Sequence, residues 1–434
     1  MTRKTFPSLA WLLAGCGVLA AVALLVTSAS PRQRNSATEV WTANAQTVNL
    51  RQLVFEAGGK TLISIGHDID RWDATTGELK SSSPRRTGSW LRYSPGGKFY
   101  AYQINKGIHH TVHLRRADDS LVQTFTFPDD TKTRAIFIDE IVFSHQGTLL
   151  NINYQLRHTR PRGRGFIFNE IYTVWDTRTH KQVVSRSHVV DEFSQRDYYQ
   201  DPFFLPDDRQ LLLLRTEADK DRYIVTSPLK ANLKDLLNNK AVATYSIAPD
   251  TSSLLSDKWK FACVSPDGSS IIAVNGNRGS GPVMAGTKSN GTLYAFDPHA
   301  QRVLWKHYAN NLNTQALTFS PDGKLLAWGG RDYNQYSAPS YTGKGKLLLL
   351  NAQTGEIATE ITEQVWTDDI KQRQISRFET AKRLLGISPQ SRRGPRYLPG
   401  DSGAIECLAF SPDGKTLAVG YSEGLIKLWR VPQG

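Results

Sequence analysis

The sequence has few cysteines. Its 434 residues contain only three, Cys16, Cys263 and Cys407. This count excludes a scaffold that several disulfide bonds would stabilise. Cys263 and Cys407 each lie in an apolar segment just before a Ser-Pro-Asp-Gly turn, so we expect two buried and unpaired thiols.

Local signatures of catalysis are also missing. Residues 343–346 (GKGK) lack the upstream glycine and the downstream Ser/Thr of a P-loop, and residues 276–281 do not follow the dinucleotide pattern. His109 and His113 would share one face of a strand but lie about 13 Å apart, too far for one metal ion. We therefore predict no catalytic residue, no cofactor and no metal ligand, while noting that distant loops can still assemble an active site.

The charge balance is strongly basic. The formal net charge is +13 and the pI is about 9.5. Such a surface attracts anions, but charge alone does not choose among phosphate, acidic polysaccharide, nucleic acid and anionic lipid. No specific nucleic-acid motif accompanies it.

One long apolar run lies near the N-terminus. Residues 9–26 carry no charge over 18 residues, which nearly matches a bilayer core of roughly 30 Å. Three interpretations compete: an uncleaved anchor, a signal peptide cleaved after Ala29, and a lipoprotein acylated at Cys16 within the sequence Leu-Ala-Gly-Cys. We predict a signal-anchor or transmembrane segment over residues 1–30, a linker over 31–37, and a body outside the cytoplasmic membrane. A cleaved secreted form and a lipoprotein form stay open as alternatives.

A four-residue turn recurs seven times along the remainder of the chain. Proline presets φ at its second position, aspartate can hydrogen-bond the local backbone, and glycine accepts positive φ. Short apolar runs on both sides of each turn indicate strands that are buried on both faces. The seven versions are residues 56–59, 94–97, 144–147, 205–208, 265–268, 320–323 and 411–414.

Each unit continues into a third strand that ends near a Trp-Asp step, and then into a fourth strand. Trp72-Asp73 and Trp175-Asp176 carry the dipeptide, whereas the equivalents at 296–297, 350–351 and 429–430 are degenerate. This pattern resembles the WD40-repeat β-propellers, although the Gly-His pair that usually opens their repeats is missing. The resemblance implies an all-β, seven-bladed β-propeller over residues 38–434. Another six- to eight-bladed propeller with the same turn, such as a Tol-type one, is the alternative.

The last unit stops after its third strand. The strand-like piece Thr38–Asn44 precedes the first unit and has no partner of its own. We predict that it supplies the missing outer strand of the final blade, because closing the ring removes exposed sheet edges.

Insertions fall at two kinds of connection. Those between second and third strands are residues 154–169, 275–291 and 329–345, and those between one unit and the next are 189–202, 250–260 and 363–404. In an up-and-down blade both kinds emerge on one side of the disc. Loops on a rigid scaffold usually carry function, so we predict one functional face.

Two of these insertions are basic. Arginine forks suit carboxylate, phosphate and sulfate, so an anion- or partner-binding rim is one interpretation, and a solvated basic surface without a ligand is the other. In the insertion 363–404 the first half is predicted to be helical. The candidate residues are Arg157, Arg160, Arg162, Arg164, Arg392, Arg393, Arg396 and Tyr397.

Taken together, these features predict a non-catalytic platform at a membrane that binds a protein or an anionic ligand. The membrane contact would be made through residues 9–26. The alternatives are a hydrolase or lactonase-like propeller with a metal in its central channel, and a scaffold within a membrane complex.

Overall fold

The structure is a computed structural model with β-strands throughout. It describes residues 37–45, 50–66, 68–84, 90–106, 109–127, 133–159, 166–191, 198–199, 203–216, 229–235, 240–247, 258–276, 291–300, 302–309, 312–332, 344–363, 403–422 and 424–432. These residues form 29 strands in seven antiparallel sheets, with no helix among them. The protein is an all-β propeller.

The sheets are numbered here in chain order, and the strand bounds follow. Sheet one holds β2 (Gln52–Phe55), β3 (Thr61–Ile65), β4 (Asp68–Asp73) and β5 (Leu79–Pro84), and sheet two holds β6 (Leu91–Tyr93), β7 (Phe99–Lys106), β8 (His109–Arg116) and β9 (Leu121–Thr126). Sheet three holds β10 (Thr133–Phe143), β11 (Leu149–Thr159), β12 (Phe166–Asp176) and β13 (Gln182–Asp191). Sheet four holds β14 (Tyr198–Tyr199), β15 (Phe203–Phe204), β16 (Gln210–Thr216), β17 (Leu229–Asp235) and β18 (Lys240–Ile247).

The later part of the chain forms the other three sheets. Sheet five holds β19 (Lys258–Val264), β20 (Ile271–Gly276), β21 (Gly291–Asp297) and β22 (Arg302–Ala309), and sheet six holds β23 (Leu312–Phe319), β24 (Leu325–Asp332), β25 (Lys344–Asn351) and β26 (Ile357–Glu363). Sheet seven holds β27 (Ile405–Phe410), β28 (Thr416–Tyr421), β29 (Leu425–Arg430) and β1 (Thr38–Asn44). Six sheets are therefore regular four-stranded blades, whereas in sheet four two short strands, β14 and β15, share the edge of β16.

The recurring turn has the chemistry that the sequence indicates. In residues 320–323, Gly323 has a φ of 71° and its amide donates to the carbonyl of Ser320 at 2.9 Å. The Ser320 hydroxyl donates to Asp322 at 2.6 Å and accepts from the Leu325 amide at 2.9 Å. Side chains thus satisfy the backbone within the turn. We call the side of the disc that carries these turns the turn face, and the opposite side the insertion face.

Neighbouring turns touch one another around the whole ring. Proline of one turn packs against glycine of the next, so that a Cβ placed on Gly323 would lie 3.5 Å from Cδ of Pro266. The same contact joins Gly268 to Pro206, Gly414 to Pro321 and Gly59 to Pro412. Contacts of other kinds join the remaining neighbours, namely Gly147 with Ser94, Ala57 with Gly96 and Ser144 with Asp208. The pair Gly59 and Pro412 closes the circle between sheet one and sheet seven.

The predicted N-terminal closing strand is confirmed. β1 pairs antiparallel with β29, from Thr38 opposite Arg430 to Asn44 opposite Leu425. The Trp41 indole donates to the carbonyl of Ala74 in sheet one at 3.0 Å and lies against Gly77. Trp305 of β22 makes the same contact with Ala352 of sheet six, at 2.9 Å, and packs on Gly355. β1 therefore does in sheet seven what an ordinary fourth strand does elsewhere.

Every outer strand carries one extra residue near its start. In β1, β13 and β22 this bulged residue is Val40, Val183 and Leu304, and each of the three is exposed by 37% or more. Equivalent bulges occur in the outer strands of the other four sheets, at Lys80, Val122, Val242 and Ala358. A bulge twists an edge and interrupts its pairing surface, which protects it from adding a foreign strand.

Two predicted segments lie outside the described residues. They are the membrane segment within residues 1–30 and the helix in the first half of residues 363–404. Across the part of the chain that the structure describes, no helix has the length and apolarity needed to cross a membrane.

Replacing Trp41 tests the closure. We expect Trp41→Ala to lower the free energy of unfolding by about 3–5 kcal/mol, because a large buried side chain and its hydrogen bond are lost together. Urea unfolding of the purified protein measures the change. Trp305→Ala is the matched control, since it removes the same contact between sheets five and six. Only Trp41→Ala should increase proteolysis near residues 37–50, and equal cleavage in both variants would contradict the role of the closing strand.

His145 occupies the turn position that proline fills in five other turns. His145 is exposed to solvent, but the protein that surrounds its ring on the inner side desolvates it and lowers its pKa, and the Asp208 carboxylate opposes the shift only in part. The unfolded chain therefore binds a proton more readily, so stability is lost as the pH falls below about 6.5. We expect His145→Pro to reduce this loss between pH 8 and pH 5.5, as measured by urea midpoints. His299→Ala, at an exposed turn histidine, should keep the wild-type pH dependence, and a wild-type profile in His145→Pro would refute the assignment.

Candidate functional site

Sheet three protrudes from the insertion face. Its second strand, β11, has 11 residues, whereas the second strands of the other sheets have five to eight. At about 3.3 Å per residue the excess amounts to roughly 10–20 Å. We call the paired segments 133–138, 154–159, 166–171 and 187–191 the wing.

The wing corrects the prediction that residues 154–169 form an inserted loop. β11 continues to Thr159 and β12 begins at Phe166, so the connection is only residues 160–165. The physical reason is the period-two alternation in this stretch, in which Tyr154 and Leu156 are buried while Arg157 is partly exposed. Such alternation is typical of a strand with one buried face.

One side of the wing is fixed against sheet two. Ile136, Ile138 and Leu156 are buried in the cluster that joins the two sheets. The Trp90 indole donates to the carbonyl of Ile138 at 2.6 Å, and the rings of Phe127 and Tyr154 lie 4.5 Å apart. Side chains on the opposite side of the wing are therefore presented on a packed support.

Arg157 lies on that opposite side, between two aromatic rings. Its guanidinium carbon is 4.3 Å from the centre of the Phe166 ring and 5.6 Å from that of Phe137. Phe137 is 42% exposed. Stacking on rings orients the planar guanidinium, and an oriented guanidinium can bind a carboxylate or phosphate through two parallel hydrogen bonds.

The Trp-Asp steps end the third strands at the turn face. Asp73 accepts hydrogen bonds from the amides of Thr75 and Thr76 at 2.8 and 3.1 Å. A hydrogen bond from Lys80 and these two amides lower the pKa of Asp73 to about 2. Asp176, Asp297 and Asn351 cap the equivalent turns in the same way. In sheet seven the fourth strand is β1, so no turn joins it to the third strand. The position equivalent to Asp73 is Arg430, which has no turn to cap.

The final repeat also matches a known family. The model of the WD domain, G-beta repeat, matches residues 395–430. The sheets of the described chain also have the arrangement of a propeller. Together, the match and the fold support a WD40-repeat β-propeller family.

The propeller has a central cavity of about 780 Å³. First strands from all seven sheets contribute to its wall, which is largely apolar and aromatic. Its charged residues are Arg92 and Glu140, and the Arg92 guanidinium lies 5.1 Å from the centre of the Trp90 ring. Sequence reasoning missed this pair, although an arginine and a glutamate within otherwise apolar first strands are a signal that could have shown it.

The described residues give no support to a metal site. They contain no group of three or more His, Cys, Asp and Glu side chains that could hold an ion. His113 instead lies against the ring of Tyr102, at 5.5 Å, and is paired in register with it. The alternative of a lactonase-like enzyme with a metal in its channel thus finds no such ligand group among the described residues.

Both cysteines of the propeller are unpaired, as predicted. Cys407 is buried and Cys263 is partly buried. Burial raises the pKa of both thiols, so neither is an activated nucleophile.

Of the candidate binding residues, the structure places Arg157 alone. The others lie outside the described residues, namely Arg160, Arg162, Arg164, Arg392, Arg393, Arg396 and Tyr397. The strand bounds show that residues 160–165 connect a second to a third strand and that residues 364–402 connect sheet six to sheet seven. Both connections start and end on the insertion face.

Proposed function

We propose that this protein is a seven-bladed propeller that acts as a non-catalytic platform and binds an acidic segment of a protein partner on its insertion face. The observation that carries the proposal is Arg157 held between Phe137 and Phe166 on a protruding sheet. WD40 propellers are commonly protein-interaction scaffolds, and the long connections of this one emerge around the same face.

The count of seven blades is supported by sheet four. Its innermost residue Phe203 lines the central cavity with the first strands of the other sheets. Its outer strand β18 carries the same bulge as the other six outer strands. Its turn also contacts both neighbours, through Asp208 to Ser144 and through Pro206 to Gly268. These three observations support a blade position for the irregular sheet.

The partner chemistry follows from the composition around Arg157. Residues 154–169 contain four arginines and one histidine and no acidic residue. Aromatic rings and arginine are the side chains most enriched at the energetic centres of protein interfaces. A carboxylate of the partner would gain a charge-assisted hydrogen bond from Arg157. Apolar groups beside that carboxylate in the partner would cover the exposed ring of Phe137.

We further propose that residues 1–30 hold the propeller at a membrane, with its body outside the cytoplasmic membrane. The support is the uncharged run of 18 residues at positions 9–26, whose helical length of about 27 Å suits a bilayer core.

Removing the arginines tests the binding role. We expect the variant with serine at positions 157, 160, 162 and 164 to lose at least about tenfold in affinity for its partner, because each charge-assisted hydrogen bond contributes about 1.5–3 kcal/mol. Quantitative affinity purification from detergent extracts would identify proteins captured by the wild type, and titration of each purified protein would give the affinity.

The matched control removes four positive charges from the other face. Lys60, Lys98, Lys324 and Lys415 each follow a turn glycine on the turn face and are exposed. The variant with serine at these four positions should retain the partner. Equal loss in both variants would indicate a general charge effect, and retention by the arginine variant would exclude the wing as the binding site.

A further inference from the structure

The chain enters the propeller at the turn face. Thr38, the first residue of β1, pairs with Arg430, which in turn pairs with Thr416 of β28. Thr416 lies two residues after the turn 411–414, and the Val431 amide donates to the carbonyl of Lys415, the residue between them, at 2.9 Å. At the other end of β1, Asn44 pairs with Leu425, and the Ala45 amide donates to the carbonyl of Gly424 at 2.8 Å on the insertion face.

This entry point is held firmly. Lys427 of β29 contacts Glu39 of β1 at 2.9 Å and Glu363 of sheet six at 3.0 Å. Tyr421 donates to the second oxygen of Glu363 at 2.9 Å. With the Trp41 contact to sheet one, these bonds tie β1 to both neighbouring sheets. Residues before position 38 therefore start from a fixed place at the rim of the disc.

The wing lies far from this entry point in two directions. It protrudes from the insertion face, and it belongs to sheet three, which is separated from sheet seven by two sheets on one side of the ring and three on the other. β28 has six residues, so the height of sheet seven is about 20 Å. The wing adds roughly 10–20 Å beyond that height.

The length of the linker limits how the propeller can face a bilayer. Between the apolar run and β1 lie the eleven residues 27–37, which reach at most about 40 Å when fully extended. Turning the insertion face toward the bilayer would use nearly all of that length to pass the disc and the wing. With the turn face toward the bilayer, the linker needs almost none of it.

We propose that the N-terminal segment holds the turn face toward the lipid surface, and that the wing and the insertion face point away from it, toward the protein partner. This orientation rests on the proposed membrane anchor. It assigns the two faces separate roles, since the turn face lies next to lipid and the insertion face is free for binding.

Energy transfer to labelled lipids tests the orientation in the full chain. Lys324→Cys places a thiol on the turn face, where the lysine side chain is 74% exposed, and Thr159→Cys places one at the exposed tip of the wing. Each variant is reconstituted in phosphatidylcholine vesicles with acceptor-labelled lipid and then reacted with a membrane-impermeant maleimide donor. The unsubstituted chain, which carries Cys16, Cys263 and Cys407, gives the background, and this signal is subtracted from that of each variant.

We expect severalfold greater energy transfer from the K324C label than from the T159C label. Equal transfer, or greater transfer from the wing, would overturn the orientation while leaving the anchor intact. A chain that does not float with the vesicles would overturn the anchor itself, and the orientation with it. A control with 20 Gly/Ser residues inserted between positions 36 and 37 adds about 25 Å of flexible reach, so the difference between the two labels should shrink. An unchanged difference would show that the linker does not set the orientation, and would refute the proposal.

Discussion

The pairing of β1 with β29 is the contact on which the closed architecture depends. Without it, sheet seven would end on an unpaired third strand, and Ala74 and Gly77 of sheet one would lose the indole that covers them. Apart from β1, sheets seven and one meet at the turn contact of Pro412 with Gly59 and in a shared core that includes Leu53 and Cys407. Closure by β1 adds backbone hydrogen bonds, a buried tryptophan and the Lys427 ion pairs at the outer edge. A ring closed at both its inner and outer edges is a rigid support, and the wing depends on that rigidity to present Arg157 in one place.

Much of this fold could be predicted because its turns have local chemistry. The Ser-Pro-Asp-Gly pattern fixes φ and satisfies its own backbone. Strand positions follow from it, as for the apolar run Gln52–Phe55, which forms a strand directly before the first turn. The closing strand was predictable because the final repeat visibly lacks a partner. The wing was not, because Pro161, Gly163 and Gly165 suggest a loop while the alternation on either side of them is short. Sheet four was also difficult to predict, since its first strand is split into two strands of two residues each, which are too short to show a periodicity.

The candidate site was predictable in part. Arginine density identified Arg157, but the rings that orient it come from Phe137, 20 residues earlier, and from Phe166, across a strand connection. Such neighbours arise from strand register, which the sequence specifies only through the buried face. Arg92 and Glu140 face the cavity because first strands of all sheets converge there, and convergence of seven separate segments cannot be seen in any one of them. A charged residue in an otherwise apolar first strand therefore indicates a residue that lines the central cavity.

The closing pair also sets an order of events during synthesis. Glu39 and its partner Lys427 are 388 residues apart, so at 5–20 residues per second a ribosome would need on the order of 20–80 s to make the second after the first. During that interval β1 has no strand to pair with, and the Trp41 side chain lacks its contacts with the other strands of sheet seven. Closure of the ring must therefore wait until β29 has emerged. A truncated chain that ended before β29 would leave its first strand as the exposed edge most open to premature association.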